Sequence, residues 1–150
     1  MNNKSLNPLL LIILCLFTCF FKAAYANEAS LSAEDAWISE APPVSRVMVA
    51  YMTLKNTGAE DIEIVRAESD LYSSIEFHET IHQDGMARMV RYDSLKIGVN
   101  KKLELKRGGA HLMLFNPGKR LKAGDTVKIK FTTKNNANKT ILVKVKKAQF

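Results

Sequence analysis

Polar and apolar residues alternate along most of this chain, and this period of two limits its fold more than any other feature. Side chains of a β-strand point to opposite faces in turn, so the alternation predicts strands with one buried face. A long stretch rich in β-forming residues, Val47–Asn56, stops at the turn-forming sequence Asn56-Thr57-Gly58 and is predicted to be a strand. The predicted strands cover residues 47–56, 61–65, 74–78, 87–92, 103–105, 111–115, 126–133 and 140–145.

Pairs of turn-forming residues separate several of these strands. They are Asp84-Gly85, Gly108-Gly109 and Asn135-Asn136. Short strands with frequent turns and no convincing helical period predict an all-β fold, an antiparallel Greek-key barrel or sandwich. Because no internal repeat or low-complexity linker divides the chain, a single β-domain is expected.

Residues 1–26 have the pattern of an export signal. A nearly unbroken apolar run, Leu9–Phe21, is followed by Ala24-Tyr25-Ala26, which places small residues where a signal peptidase reads them. We therefore expect cleavage at this point and export of residues 27–150. The apolar run is short for a membrane span of about 20 residues, and Lys22 interrupts it. No stable membrane insertion of the cleaved protein is expected.

Both cysteines of the chain, Cys15 and Cys19, lie inside the predicted signal, so the exported part contains none. Lipid attachment at Cys19 is an alternative to simple cleavage, although Phe17 and Thr18 are bulky where a lipoprotein signal needs small residues. A chain without cysteine offers no thiolate to a metal.

Basic residues outnumber acidic ones by 22 to 15, which gives a formal net charge of +7. In the second half of the chain, lysines alternate with apolar residues, a pattern typical of exposed strand faces. A weak attraction to acidic membrane proteins or lipids is the functional alternative. Nucleic acid is not expected as a partner, because the protein is exported and its aromatic residues are not interleaved with the basic ones.

Two histidines and two methionines are placed so that a small β-protein can gather them. His111 and Met113 are two residues apart, so a strand projects both from one face. His78 is expected to end its strand and to point away from the core face, which Phe77 occupies, and Met89 lies in the strand predicted to pair with it as a hairpin. Thioether sulfur selects monovalent copper among biological metals, and imidazole is also a good copper ligand. The sequence therefore predicts a Cu(I) site formed by His78, Met89, His111 and Met113.

Several of these residue types also have ordinary interpretations. A methionine usually fills a core, and Met48 and Met52 are assigned to the core for that reason. His82 and Met86, placed in the hairpin loop, are either alternative ligands or ordinary loop residues. Glu79 is either a solvated carboxylate or an acceptor for a hydrogen bond from a ligand histidine.

Other functional classes fit the sequence less well. A blue-copper electron carrier needs a cysteine thiolate beside its two histidines, and the exported part has no cysteine. No nucleophile or carboxylate pair stands in a recognisable catalytic arrangement, so the protein is not expected to be an enzyme. A metal-free adhesion or assembly module is the alternative if no copper is bound.

The spacing of the four predicted ligands also resembles that of a known family, the periplasmic PCu(A)C-type copper chaperones. Ten residues separate His78 from Met89, and twenty-one separate Met89 from His111-Leu112-Met113. Further blocks that resemble the family are Asp35–Ile38, Ala41–Pro43, Ala50–Gly58, Glu76–Glu79 and Gly108–Leu114.

The resemblance implies a cupredoxin-like Greek-key barrel that binds one Cu(I) ion in the periplasm. It also implies delivery of copper to the binuclear site of cytochrome c oxidase, with the apo oxidase copper domain and a thioredoxin-like assembly protein as partners. Some members carry a His/Met-rich C-terminal tail, which Lys147–Phe150 does not resemble. The same ligands would also serve a periplasmic copper scavenging or storage protein for copper tolerance.

Overall fold

The computed structural model describes residues 29–148, and within this range it contains ten β-strands and no helix. The strands are β1 (Leu31–Ser39), β2 (Val47–Asn56), β3 (Ile62–Glu68), β4 (Tyr72–Gln83), β5 (Met86–Tyr92), β6 (Leu95–Ile97), β7 (Lys102–Leu105), β8 (Ala110–Pro117), β9 (Thr126–Thr133) and β10 (Asn138–Lys146). No helix suited to crossing a membrane occurs among these residues. The predicted signal peptide, residues 1–26, lies outside the described range.

Seven of the strands close into a barrel in the order β1-β2-β8-β4-β3-β9-β10. β1 and β10 are parallel, whereas the other neighbours in the barrel are antiparallel. β5 extends the sheet beyond β4, β6 extends it beyond β3, and β7 pairs with β2. β8 lies between β2 and β4 although it is distant from both in sequence, which is the type of connection found in Greek keys. The predicted all-β barrel is therefore confirmed.

The core consists of the inward-facing residues of these strands. Along β2, buried and half-buried residues alternate without exception, as the period of two predicts. Met48 and Met52 are only 3% and 2% exposed, so their assignment to the core is confirmed. Burial of an apolar side chain of this size contributes about 1.5–3 kcal/mol to stability. The largest fully buried side chains include Ile38, Leu54, Ile64, Leu112, Leu114 and Phe131.

The hairpin of β4 and β5 is longer than the sequence pattern predicted. β4 continues past His78 to Gln83, so the expectation that His78 ends its strand was wrong. The two strands meet at Asp84-Gly85, whose φ angles are 52° and 74°, as in the type I′ turn that suits a two-residue hairpin. Both faces of this end of β4 are partly open to solvent. Polar residues therefore occupy both faces, and the alternation that marks a strand disappears.

Two strands, β1 and β6, were not predicted. β1 contains a bulge between Glu34 and Trp37, where its pairing with β2 shifts by one residue. Asp35 lies in this bulge with a φ of 53°. Because an extra residue reverses the order of inward and outward positions, β1 shows no regular period in the sequence.

Candidate metal centre

His78 and His111 lie directly opposite each other on neighbouring strands, β4 and β8. Their ring centroids are 6.2 Å apart, and the ring planes are inclined by 27°. The next pair along the ladder, Phe77 and Leu112, is buried in the barrel core, so the two histidines project from the opposite, outer face. His111 is nevertheless only 5% exposed, and the His78 side chain is 14% exposed. The imidazoles are thus well shielded from solvent.

Met113 lies on the same outer face as His111, as their spacing predicted. It occupies β8 opposite Glu76 of β4 and is half-buried. Leu112 and Leu114, on either side of it in sequence, are fully buried. The alternation along β8 therefore separates its ligand face from its core face.

Met89 lies on β5, opposite Thr80 of β4. Since Thr80 is two residues from His78 and shares its face, Met89 is a diagonal neighbour of His78, a separation that long side chains can bridge. Met89 is 55% exposed and is the least enclosed of the four predicted ligands. Three adjacent strands thus bring all four to one surface, the donor face, which consists of His78, Met89, His111 and Met113.

The hydrogen bonding of His78 leaves one of its ring nitrogens without a partner. Nε2 lies 2.9 Å from Oε2 of Glu76. A carboxylate only accepts hydrogen bonds, so Nε2 carries the proton of the neutral ring and Nδ1 keeps its lone pair. Nδ1 is buried, and in residues 29–148 it is the only buried side-chain nitrogen or oxygen without a hydrogen-bond partner.

His111 has the opposite arrangement. Its Nδ1 lies 2.9 Å from the carbonyl oxygen of Gly109. A carbonyl also only accepts, so Nδ1 carries the proton and Nε2 keeps the lone pair. The two imidazoles therefore offer different nitrogens, Nδ1 of His78 and Nε2 of His111.

Glu76 is the residue of this site that the sequence analysis missed. Its other oxygen, Oε1, lies 3.4 Å from a guanidinium nitrogen of Arg91 on β5. Glu76 is therefore held from both sides, by His78 and by Arg91. The spacing of Glu76 and His78, two residues apart in a strand, was the available signal for this contact.

Glu79, the carboxylate considered in the sequence analysis, has a different partner. It accepts a hydrogen bond of 2.7 Å from the hydroxyl of Tyr92, and this bond raises the pKa of Tyr92 above its usual value. Glu79 is one position away from His78 in β4 and faces the other side of the sheet. It does not orient either ligand histidine.

His82 and Met86 belong to β4 and β5, so their assignment to a hairpin loop was wrong. His82 pairs with Ala87, and Met86 pairs with Gln83. In this register His82 faces the side of the hairpin that carries Met89, whereas Met86 faces the other side. The two exposed residues do not converge on a common point.

The donor face combines uncharged nitrogen and sulfur atoms. Within residues 29–148, no cluster of three or more histidine, cysteine, aspartate or glutamate side chains could hold a metal ion. The carboxylate on this face, Glu76, is engaged by His78 and Arg91. Two imidazoles and two thioethers fit a soft cation, and the thioethers favour Cu(I) over ions that prefer oxygen.

Comparison with known proteins gives a match to one family model. The model, described as "Putative lipoprotein LpqE-like", covers residues 31–145. The matched range includes all four residues of the donor face and every strand of the barrel except the last residue of β10.

Solved structures resemble the chain over most of its length. The protein DR1885 of Deinococcus radiodurans, solved without copper, is 32% identical, with a TM-score of 0.62 over 82% of this chain and 83% of that protein. Its Cu(I)-bound form gives the same identity and TM-score. The copper-bound PCuAC domain of PmoF2 is 16% identical, with a TM-score of 0.66 over 81% of this chain and 96% of that domain. The PmoF2 likeness shows a shared fold and confirms the predicted cupredoxin-like barrel.

Two curated sequences are also related. The uncharacterized protein RP573 of Rickettsia prowazekii is 38% identical over 96 residues, which are 63% of this chain and 53% of that protein. The "Putative lipoprotein Lxx21020" of Leifsonia xyli subsp. xyli is 30% identical over 112 residues, 74% of this chain and 66% of that protein. The matched segments thus span about half of the first relative and just under two thirds of the second.

Proposed function

This chain belongs to the LpqE-like family, and on that premise we propose that it is a PCuAC-type copper chaperone. It binds one Cu(I) ion in the periplasm and delivers it for assembly of the binuclear copper site of cytochrome c oxidase. The Cu(I)-bound Deinococcus relative, 32% identical to this chain, supports copper as the cargo.

The unpartnered nitrogen of His78 is the observation that carries this proposal. Buried polar atoms in proteins nearly always have a partner, and Nδ1 of His78 has none in the protein. It lies on the face that also carries His111, Met113 and Met89. A cation bound by the donor face would supply the missing partner.

Each residue of the donor face has its own part in this function. His78 binds through Nδ1 and His111 through Nε2, the nitrogens that their hydrogen bonds leave available. Met113 contributes a shielded thioether. Met89 is 55% exposed, so it closes the site on the solvent side and is the first ligand that an approaching protein displaces. Neutral ligands then yield the ion stepwise to an acceptor that carries thiolates.

Export and partners complete the proposal. Residues 1–26 direct the chain out of the cell interior and are removed, leaving residues 27–150 as the working protein; the lipoprotein name of the Leifsonia relative supports export. The apo copper domain of cytochrome c oxidase receives the ion with the help of a thioredoxin-like assembly protein. Delivery of an ion makes and breaks no covalent bond in a substrate, so the protein is a carrier and not an enzyme.

A deletion strain tests this function. Loss of the protein should lower cytochrome c oxidase activity most strongly when copper is scarce, and added copper should restore it. A His111→Ala/Met113→Leu variant should behave like the deletion. The matched control is His82→Ala/Met86→Leu, which makes the same chemical change at exposed positions of the hairpin. Expressed in the deletion strain, this control should restore cytochrome c oxidase activity.

Two outcomes would contradict delivery. Oxidase activity that is normal at low copper, combined with sensitivity of the deletion strain to excess copper, would favour scavenging or storage for copper tolerance. Purified protein that binds no Cu(I) would favour a metal-free adhesion or assembly module.

A further inference from the structure

A second surface adjoins the donor face on the same side of the sheet. Val49 of β2 pairs with Met113 of β8, and Tyr51 follows two residues later on the same face. Tyr51 pairs with Trp37 of β1, which in turn pairs with Lys144 of β10. The sequence neighbours of these residues face the opposite way: Ala50, Ile38, Val143 and Val145 are all buried in the core. Outward-facing side chains therefore continue from the donor face across three more strands.

Aromatic and cationic groups are packed together on this second surface. The rings of Trp37 and Tyr51 have centroids 4.8 Å apart and planes inclined by 41°. The guanidinium carbon of Arg107 lies 5.4 Å from the Trp37 centroid and 5.9 Å from the Tyr51 centroid. Nζ of Lys146 lies 5.9 Å from the Trp37 centroid. These are cation–π distances, and with Lys144 the group forms the aromatic–basic patch: Trp37, Tyr51, Arg107, Lys144 and Lys146.

The turn between β7 and β8 connects the patch to the donor face. Arg107 lies in this turn, and two residues later the carbonyl of Gly109 accepts the hydrogen bond that orients His111. A molecule that contacts Arg107 therefore touches the segment that positions a proposed copper ligand.

Charge favours an acidic partner at this surface. Lys144 and Lys146 are exposed, and neither β9 nor β10 contains an acidic residue. Asp35 supplies the carboxylate among the residues that line the shallow depression of 160 Å³ beside Trp37. The patch itself contains three cations, Arg107, Lys144 and Lys146, so positive charge exceeds negative charge there. On the donor face, Glu76 is offset by Arg91.

We propose that the aromatic–basic patch is the docking surface for an acidic face of the protein that exchanges copper with the donor face. The inference rests on the proposed chaperone function and adds where and by what chemistry the partner binds. Tryptophan, tyrosine and arginine are the residues most enriched among those that dominate interface energies. Clustered cations beside them raise the association rate of an acidic protein.

Copper transfer to the soluble apo copper domain of a cytochrome c oxidase provides the test. Transfer from the Cu(I)-loaded protein is followed at several salt concentrations. The test variant is Lys144→Glu/Lys146→Glu. The control is Lys119→Glu/Lys122→Glu, which makes the same charge change at exposed residues between β8 and β9. Trp37 is the only tryptophan of the chain, so 5-fluorotryptophan labelling gives one ¹⁹F signal that reports contact with the patch.

The proposal expects fast, salt-sensitive transfer by the unmodified protein and a shift of the Trp37 signal when the oxidase domain is added. At low salt the test variant should transfer copper about 10-fold more slowly, with a weaker salt dependence and a smaller ¹⁹F shift. Its affinity for Cu(I) should be unchanged. The control variant should match the unmodified protein.

Three results would overturn the proposal. Equal rates and equal salt dependence in both variants would remove the patch as a docking surface while leaving delivery intact. Failure of the unmodified, copper-loaded protein to transfer at all would reject delivery and the docking proposal with it. Normal transfer by the test variant, combined with loss of binding to phosphatidylglycerol vesicles, would assign the patch to a lipid surface.

Discussion

At the scale of single residues, hydrogen bonds decide which atoms face the proposed ion. Glu76 fixes the proton of His78 on Nε2, and the Gly109 carbonyl fixes the proton of His111 on Nδ1. Each bond leaves the other nitrogen of its ring as the one with a lone pair. Partners that orient a ligand in this way typically change metal affinity by 10–100-fold when they are removed.

Glu76→Gln should weaken Cu(I) binding by about 10-fold, because an amide can donate as well as accept and no longer fixes the proton of His78 on Nε2. Nitrogen-15 NMR of the histidine rings should show a change of tautomer for His78 and none for His111. Glu79→Gln is the matched control, since Glu79 faces the other side of β4 and bonds Tyr92. An unchanged His78 tautomer in the Glu76 variant would contradict this role.

Met113→Leu and Met89→Leu should each weaken Cu(I) binding, because each removes a sulfur atom while nearly preserving volume. The free energy of unfolding should fall by less than about 1.5 kcal/mol. Competition titration with a Cu(I) chelator and urea unfolding measure the two quantities. Met48→Leu, in the core, should leave copper affinity unchanged. A large loss of stability with no loss of affinity would assign Met113 or Met89 to packing instead.

Tyr72 makes the stability of the barrel sensitive to alkali. Burial raises its pKa to about 12 from its ordinary value of 10.0, and its hydroxyl donates to Sδ of Met48 at 3.3 Å. The unfolded chain thus loses this proton at a lower pH than the folded one. The contribution to stability is complete below pH 10 and is lost between pH 10 and pH 12, by up to about 1.4 kcal/mol per pH unit.

Urea unfolding of Tyr72→Phe at pH 9, 10 and 11 tests this dependence. Because the variant lacks the titrating hydroxyl, its stability should fall less steeply than that of the unmodified protein above pH 10. Lysines titrate in both proteins, so the difference between the two curves isolates Tyr72. Parallel curves would show that the folded and unfolded states share the same tyrosine pKa.

At the scale of elements, the hairpin of β4 and β5 carries the exposed end of the donor face. Its register brings Met89 to the side of His78, and the Asp84-Gly85 turn sets that register. A shift by one residue would turn Met89 to the opposite face. The turn is therefore part of the ligand geometry although no ligand lies in it.

Gly85→Ala should destabilise the protein by about 1 kcal/mol, because the turn requires a positive φ at this residue. No atom lies within 4 Å of an added Cβ, so the cost is conformational and not steric. Amide exchange should increase in β5 more than in the barrel strands. Gly118→Ala is the control, with its nearest contact at 3.9 Å and no left-handed φ.

The strands that could be predicted from the sequence are those in which one face is more deeply buried than the other. β2 and β9 match their predicted bounds because a fully buried face alternates with a more accessible one along all of β2 and along β9 as far as Phe131. β1 was missed because the Asp35 bulge interrupts its alternation. The common face of the four predicted ligands followed from strand spacing, whereas the His78–Glu76 and His111–Gly109 bonds depend on side-chain rotation that spacing does not specify. Copper binding by these residues stays a prediction.

At the scale of the whole molecule, the barrel is joined by contacts between distant parts of the chain. β1 lies between β2 and the last strand, β10, with which it is parallel. β3 and β4 complete the ring through one paired position, Ala67 and Ile75. Such long-range pairing makes folding slow and cooperative.

Removal of residues 138–150 should abolish cooperative unfolding, because β10 pairs with both β1 and β9 and buries Val143 and Val145. Circular dichroism during urea titration and the dispersion of the NMR spectrum measure the effect. Removal of residues 147–150 alone leaves β10 in place and should preserve the transition. A folded protein without β10 would show that the remaining strands close by themselves.

The pairing of β1 with β10 also sets an order for the proposed export and the proposed binding of copper. If the chain is exported through a channel as proposed, with β1 ahead of β10, the seam between these two strands cannot form until β10 has emerged. Until then the barrel is open, and β4 and β8 lack the closed scaffold that holds His78 against His111. On the proposed export route, the parallel pairing of β1 with β10 therefore places closure of the barrel, and with it capture of the proposed ion, after translocation.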